Sequence, residues 1–125
     1  VETATAKTYT LEQYFDKEYR SEMRHEFLNG HIRAMAYTSE IHGKIVSNLI
    51  RHLGNCKADK DCDVYGSDRM ILVEKCNKVF YPDIVVVCGE QKFYQYKKNM
   101  RATLNPKILI EVSSPSTENE DKIDK

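Results

Sequence analysis

Four consecutive β-branched residues, Ile84-Val85-Val86-Val87 in "VFYPDIVVVCG", restrict this chain's fold more than any other stretch. A half-buried strand alternates apolar and polar side chains, whereas a run that is apolar at every position buries both faces. Such a strand needs cover above and below it, which a layered α/β arrangement provides. "VFYPDIVVVCG" as a whole therefore reads as one strand with a buried centre.

A second apolar run opens "ILIEVSSPST", from Ile108 to Thr117. It too reads as a buried strand, ended by Pro115, yet it contains Glu111. An unpaired carboxylate there costs several kcal/mol or is neutralised. The first run also has an acid, Asp83, directly after Pro82 at its mouth. Strand residues alternate faces, so Leu109, Glu111 and Ser113 share one face. If the two strands pair with Asp83 beside Glu111, two carboxylates meet and repel. A divalent cation such as Mg²⁺, which prefers carboxylate and water oxygens, removes that cost. Plainer readings stay open: Asp83 can cap a turn, and Glu111 can pair with an arginine on a neighbouring strand.

The remaining elements follow local signals. Thr10 with Gln13 forms a capping box for a short helix over 11–18. Asn29-Gly30 predicts a type I′ turn joining strands 24–28 and 31–36. Ile41, Ile45, Val46, Leu49, Ile50 and Leu53 make one helical stripe, with Ser39 to cap its start and Gly54 to end it. "VYGSDRMILVE" reads as one or two strands and "KCNK" as a turn. The stretch 90–107 reads as a long connection, of the kind that is functional or mobile. Thr117 with Glu120 is a second capping box, so another helix starts there.

The length of 125 residues predicts one domain. With 19 basic and 19 acidic residues the net charge is zero, so a polyanion partner needs a local basic patch. "KFYQYKKNMR" offers one: Lys92, Lys97, Lys98 and Arg101 interleave with Phe93, Tyr94 and Tyr96. Aromatic rings with cations suit a nucleic-acid groove, and equally a solvated loop whose rings pack on the sheet. No apolar run has membrane-spanning length. Cys56, Cys62, Cys76 and Cys88 show no zinc-ligand spacing and read as reduced thiols of a cytoplasmic protein.

The acid after proline followed by an acid within an apolar strand resembles the PD-(D/E)XK nuclease superfamily. "YTLEQY", "RHEFLNGHIRAM", "IHGKIVSNL", "YPDIVVVCG" and "LIEVSSPSTENEDKIDK", in this order, resemble the bacterial Uma-type restriction-endonuclease family. The resemblance covers nearly the whole chain from Tyr9 onward, and "EVSSPST" is its most specific block. It implies a restriction-endonuclease-like fold, a mixed β-sheet flanked by helices and preceded by a short helix and a β-hairpin. It also implies a further helix and strand beyond residue 125.

By the same resemblance, Asp83, Glu111 and the backbone carbonyl of Val112 hold Mg²⁺ or Mn²⁺. Glu26 matches an acid of the family's early hairpin, and His42 a histidine that opens its long helix. Both have bland alternatives: Glu26 in a cross-hairpin pair, His42 at a helix start or in the core. A plain E-x-K motif would put lysine at residue 113, where this chain has Ser113. The family's lysine comes later, and Lys125 matches it, with Lys122 nearby. Either lysine is also spaced four residues from an acid, as in a surface ion pair. The expected activity is divalent-metal-dependent endonucleolytic hydrolysis of DNA phosphodiesters by a homodimer. The alternative is an inactive nuclease-fold domain that binds DNA or a protein partner.

Overall fold

The computed structural model describes residues 7–56 and 61–113. Its elements in chain order are α1 (Leu11–Arg20), β1 (His25–Leu28), β2 (His31–Ala34), α2 (Glu40–Cys56), β3 (Cys62–Tyr65), β4 (Ile71–Val73), β5 (Lys78–Phe80), β6 (Ile84–Cys88), β7 (Phe93–Tyr96), β8 (Met100–Thr103) and β9 (Ile108–Ile110). This is the mixed α/β architecture that the resemblance implies. The chain divides into two compact units, one of Val1–Ala36, Met70–Tyr81 and Gln91–Asn105, the other of Tyr37–Arg69, Pro82–Glu90 and Pro106–Lys125.

The first unit is a six-stranded sheet in the order β2-β1-β5-β4-β8-β7, with α1 packed on it. Its pairs are antiparallel except β4 with β8. The capping box at the start of α1 forms as expected: Gln13 N donates to Thr10 Oγ1 and Thr10 N to Gln13 Oε1. Helix α1 buries Tyr14, Phe15 and Glu18. Tyr14 and Phe15 join Phe27, Leu72, Val79 and Ala102 in the core. The β1–β2 turn has Asn29 at φ 48° and Gly30 at φ 96°, the positive values that Asn-Gly supplies at least cost.

A buried polar network completes this unit. Glu18 Oε2 accepts from Tyr81 Oη at 2.6 Å and from the His25 amide at 2.9 Å, while Oε1 faces His25 Nδ1 at 2.9 Å. Tyr14 Oη donates to the His25 carbonyl at 2.6 Å. The carboxylate thus keeps partners despite its burial, as a core position demands.

The second unit is a three-stranded sheet in the order β3-β6-β9 with helix α2 against β3. Central β6 is buried from Ile84 to Val87, as its run of apolar residues predicts. Cys62 of β3 stands opposite Cys88 of β6, and the two form a disulfide.

Several expectations need correction. "VFYPDIVVVCG" is two strands in two sheets, β5 and β6, because Pro82 has no N–H for a ladder. The stretch 90–107 contains the β7–β8 hairpin, turned by Lys97 at φ 56°. Helix α2 passes Gly54 and runs to Cys56. Strand β9 is not buried: Ile108 is 47% and Leu109 39% exposed. It lies at an edge of its sheet among the described residues, so one flank and much of its surface stay open. Cys62 and Cys88 are not reduced thiols, because antiparallel pairing sets them face to face. The helix expected from Thr117, with Lys122 and Lys125, lies outside the described residues.

Candidate active site

Strands β6 and β9 pair antiparallel, with Ile84 opposite Ile110 and Val85 opposite Leu109. One step further, the same register sets Asp83 opposite Glu111. The bonds at this point are reciprocal. The backbone amide of Asp83 donates to Glu111 Oε1 at 3.0 Å. The backbone amide of Val112 donates to Asp83 Oδ2 at 2.7 Å. Each acid therefore anchors the strand end that carries the other. Pro82 precedes this arrangement and is fully buried, which fixes where β6 begins.

A third residue reaches the pair from α2. His42 Nε2 lies 3.1 Å from Asp83 Oδ2. A carboxylate oxygen accepts, so Nε2 is the donor of this contact. Ser39 caps the helix start: its Oγ accepts from the His42 amide at 3.1 Å, and its carbonyl from the Gly43 amide at 3.1 Å. The His42 side chain is only 8% exposed and that of Asp83 18%. His42 thus sits at a helix start and in the interior, as its bland reading has it, and also faces Asp83. Glu111 is exposed.

The sequence-predicted residues thus fall into three groups. Asp83, Glu111, Val112 and His42 come together in the second unit. Glu26 is in the first unit, opposite Arg33 across the hairpin, with Arg33 Nη2 3.2 Å from Glu26 Oε1. The third group, Lys92, Tyr94, Lys97, Lys98 and Arg101, is on or beside the β7–β8 hairpin. Tyr94 stacks on Phe15 with centroids 5.1 Å apart, so its ring belongs to the sheet packing. Arg101 lies over Phe93 at 3.9 Å. Lys97 lies over the rings of Tyr19 and Tyr96 at 5.5 and 5.7 Å. Cys62 and Cys88 are 26 residues apart, and the signal for their disulfide is the register of β3 against β6, which sequence spacing does not carry.

The donor set suits a hard divalent cation. Two carboxylates, both reachable from solvent, present oxygen ligands, and Mg²⁺ characteristically completes its shell with water. No cluster of three or more His, Cys, Asp or Glu side chains poised for a metal occurs among the described residues.

The mixed α/β architecture, two helices with mixed and antiparallel sheets, is consistent with a restriction-endonuclease-like fold. Residues 11–125 match the model of the Uma2 family, described as "Putative restriction endonuclease", and the chain belongs to that family. It is 31% identical over 119 residues to the uncharacterized protein sll1609 of Synechocystis sp. (strain ATCC 27184 / PCC 6803 / Kazusa), covering 95% of this chain and 66% of that protein. To the uncharacterized protein slr1290 of the same organism it is 31% identical over 111 residues, covering 89% of this chain and 56% of that protein. The chain thus spans less than two thirds of either relative's length. No solved structure matches it. No described helix is long and apolar enough to cross a membrane.

Proposed function

We propose that the protein is a divalent-metal-dependent endonuclease that hydrolyses DNA phosphodiester bonds. The observation that carries this reading is the reciprocal bonding of Asp83 and Glu111 across β6 and β9. An acid pair that meets by register alone, and is held by backbone amides, is placed before any ligand arrives. That is the pre-organisation a catalytic site needs.

Asp83 and Glu111, with the Val112 carbonyl, would hold Mg²⁺ or Mn²⁺. When bound, such an ion supplies Lewis-acid stabilisation of a phosphoryl oxygen and an acidified water. The chain's own residues do the rest. His42 and the Val112 amide both bond to Oδ2 of Asp83, which fixes the carboxylate plane. The Asp83 amide fixes one oxygen of Glu111. Lys125, or Lys122 in its place, would orient the attacking water and offset charge developing on the phosphate. Both lysines lie outside the described residues, and their role rests on the resemblance.

Ser113 favours a second reading, because it occupies the position of the E-x-K lysine. Without a lysine that can reach the acids, the domain would bind DNA or a protein without cutting. Glu111→Gln decides between the readings. The amide nearly preserves the shape and keeps an oxygen for the Asp83 N–H, but it removes the charge. The full chain with Mg²⁺ or Mn²⁺ is expected to nick plasmid DNA, and the variant to lose nicking while its melting temperature stays unchanged or rises. Nicking by Glu111→Gln at the parent's rate would make Glu111 structural. Metal binding by the parent with no cleavage would favour the non-cutting domain.

A further inference from the structure

We infer that the turn of the β7–β8 hairpin, Lys97-Lys98-Asn99, is a phosphate-binding finger that grips the backbone of double-stranded DNA. The contacts are the ammonium groups of Lys97 and Lys98 and the outward backbone amides of Lys98 and Asn99. The inference rests on the nuclease reading for its ligand, yet it requires no cleavage.

Charge singles out this hairpin. From Gln91 to Ile110 the chain has five cations, Lys92, Lys97, Lys98, Arg101 and Lys107, and no acid, although its net charge is zero. The first four of these are exposed. Among the described residues, neither Lys97 nor Lys98 forms an ion pair with a carboxylate. The residues of α1 that line the surface beside Tyr96 balance one another, Glu12 and Asp16 against Lys17 and Arg20. They leave the charge of the hairpin uncancelled.

Gln95 fixes the turn from inside. Its Nε2 donates to the carbonyl of Lys97 at 2.7 Å and to those of Lys98 and Met100 at 3.3 Å. In a trans peptide the following N–H points opposite to the carbonyl. The amides of Lys98 and Asn99 therefore face away from Gln95, on exposed residues. Successive outward amides in a turn make a seat for an anion. Lys97 holds φ at 56°, a region that glycine or asparagine enters at less cost. The turn thus sets two cations beside two amides before any ligand arrives, so little freedom is lost on binding.

The rings of the hairpin are committed to packing. Tyr94 and Tyr96 stack on Phe15 at 5.1 and 5.5 Å, and Arg101 covers Phe93 at 3.9 Å. What the hairpin offers is therefore contact with phosphates, which carries no base readout. A duplex presents the denser row of them, about one per 1.7 Å of axis. It is a better ligand for this element than a single strand, whose bases would need free rings to stack on. The expected contact thus moves from Tyr94 to the turn.

The test measures binding of the full chain to a short fluorescein-labelled duplex by anisotropy, in EDTA and across a series of NaCl concentrations. Each phosphate contact contributes about 0.9 to the slope of log affinity against log salt. Lys98→Ala is expected to weaken binding several-fold and to make that slope shallower by about 0.9, and Lys97→Ala with Lys98→Ala by about 1.8. Both lysines are exposed, so the melting temperature should not change. Lys44→Ala, an equal loss of charge on exposed α2, should leave the slope as it is. Gln95→Leu keeps both lysines but frees the turn, and should weaken binding a few-fold. A double variant with the parent's slope, a Lys44→Ala slope as shallow as that of Lys98→Ala, or a Gln95→Leu affinity equal to the parent's overturns the proposal. So does a single strand bound more tightly than the duplex, or a parent that does not bind the duplex, whether or not it binds phosphatidylserine vesicles. The nuclease reading is scored apart, with metal present. A parent that binds through the two lysines but never cuts keeps the finger and loses the hydrolase; a parent that cuts while the double variant keeps the parent's slope does the reverse.

Discussion

His42 and Asp83 are 41 residues apart in the chain, yet Nε2 of one lies 3.1 Å from Oδ2 of the other. The contact ties the first turn of α2 to the start of β6. It leaves the imidazole as a support for the carboxylate.

The first prediction follows from that contact. Removing a group that orients a metal-binding carboxylate typically lowers metal affinity by tenfold or more. His42→Ala is therefore expected to weaken Mn²⁺ binding by roughly tenfold. His42→Gln, whose amide can still donate, should recover part of it. Calorimetric titration of Mn²⁺ into each variant checks this, and equal affinities in all three would show that His42 serves only the helix.

Alkaline pH should destabilise the first unit through two tyrosines. Burial, and then the charge of Glu18, raises the Tyr14 hydroxyl above its ordinary value near 10. Tyr81 is raised as well, by burial first, then by Tyr14 and its bond to Glu18. A group raised in the folded state favours folding fully below its unfolded value. That contribution is lost as pH climbs above it. Denaturation midpoints should be insensitive to these tyrosines below pH 10 and fall above it. Tyr81→Phe should make the fall shallower and cost about 1 kcal/mol at neutral pH, where Glu18 loses one donor.

The disulfide gives a prediction from chain length. Cys62 and Cys88 are separated by 26 residues, and closing a loop of that size restricts the unfolded chain by about 3.5 kcal/mol. Cys88→Ser, or reduction by excess dithiol, should lower stability by an amount of that order. Thiol titration of unfolded parent should find two more thiols after reduction than before it. An unchanged denaturation midpoint alongside two new thiols would show that the β3–β6 ladder alone sets the stability.

Two neighbours in β1 should respond oppositely to truncation. Phe27 is fully buried and stacks on Tyr14 at 5.2 Å, whereas Leu28 is mostly exposed. Phe27→Ala is expected to cost about 3–5 kcal/mol through lost burial and a cavity. Leu28→Ala should change stability by about 0.5 kcal/mol or less. Urea denaturation of both measures the contrast, and similar losses would contradict the placement of β1.

What the sequence by itself determined was local. Thr10 and Gln13 cap a helix because their bonds close within one turn. Asn29-Gly30 makes a hairpin because both residues tolerate positive φ. The run from Ile84 to Val87 demanded a central strand, and it obtained one. The tertiary structure decided every pairing between distant segments. It split "VFYPDIVVVCG" between two sheets at Pro82, left β9 at an edge among the described residues, and joined Cys62 to Cys88. It also brought Asp83, Glu111 and His42 to one point. Hydrophobic pattern reports how much of a strand wants cover. Register, set by hydrogen bonds to a partner remote in sequence, decides which side chains meet there.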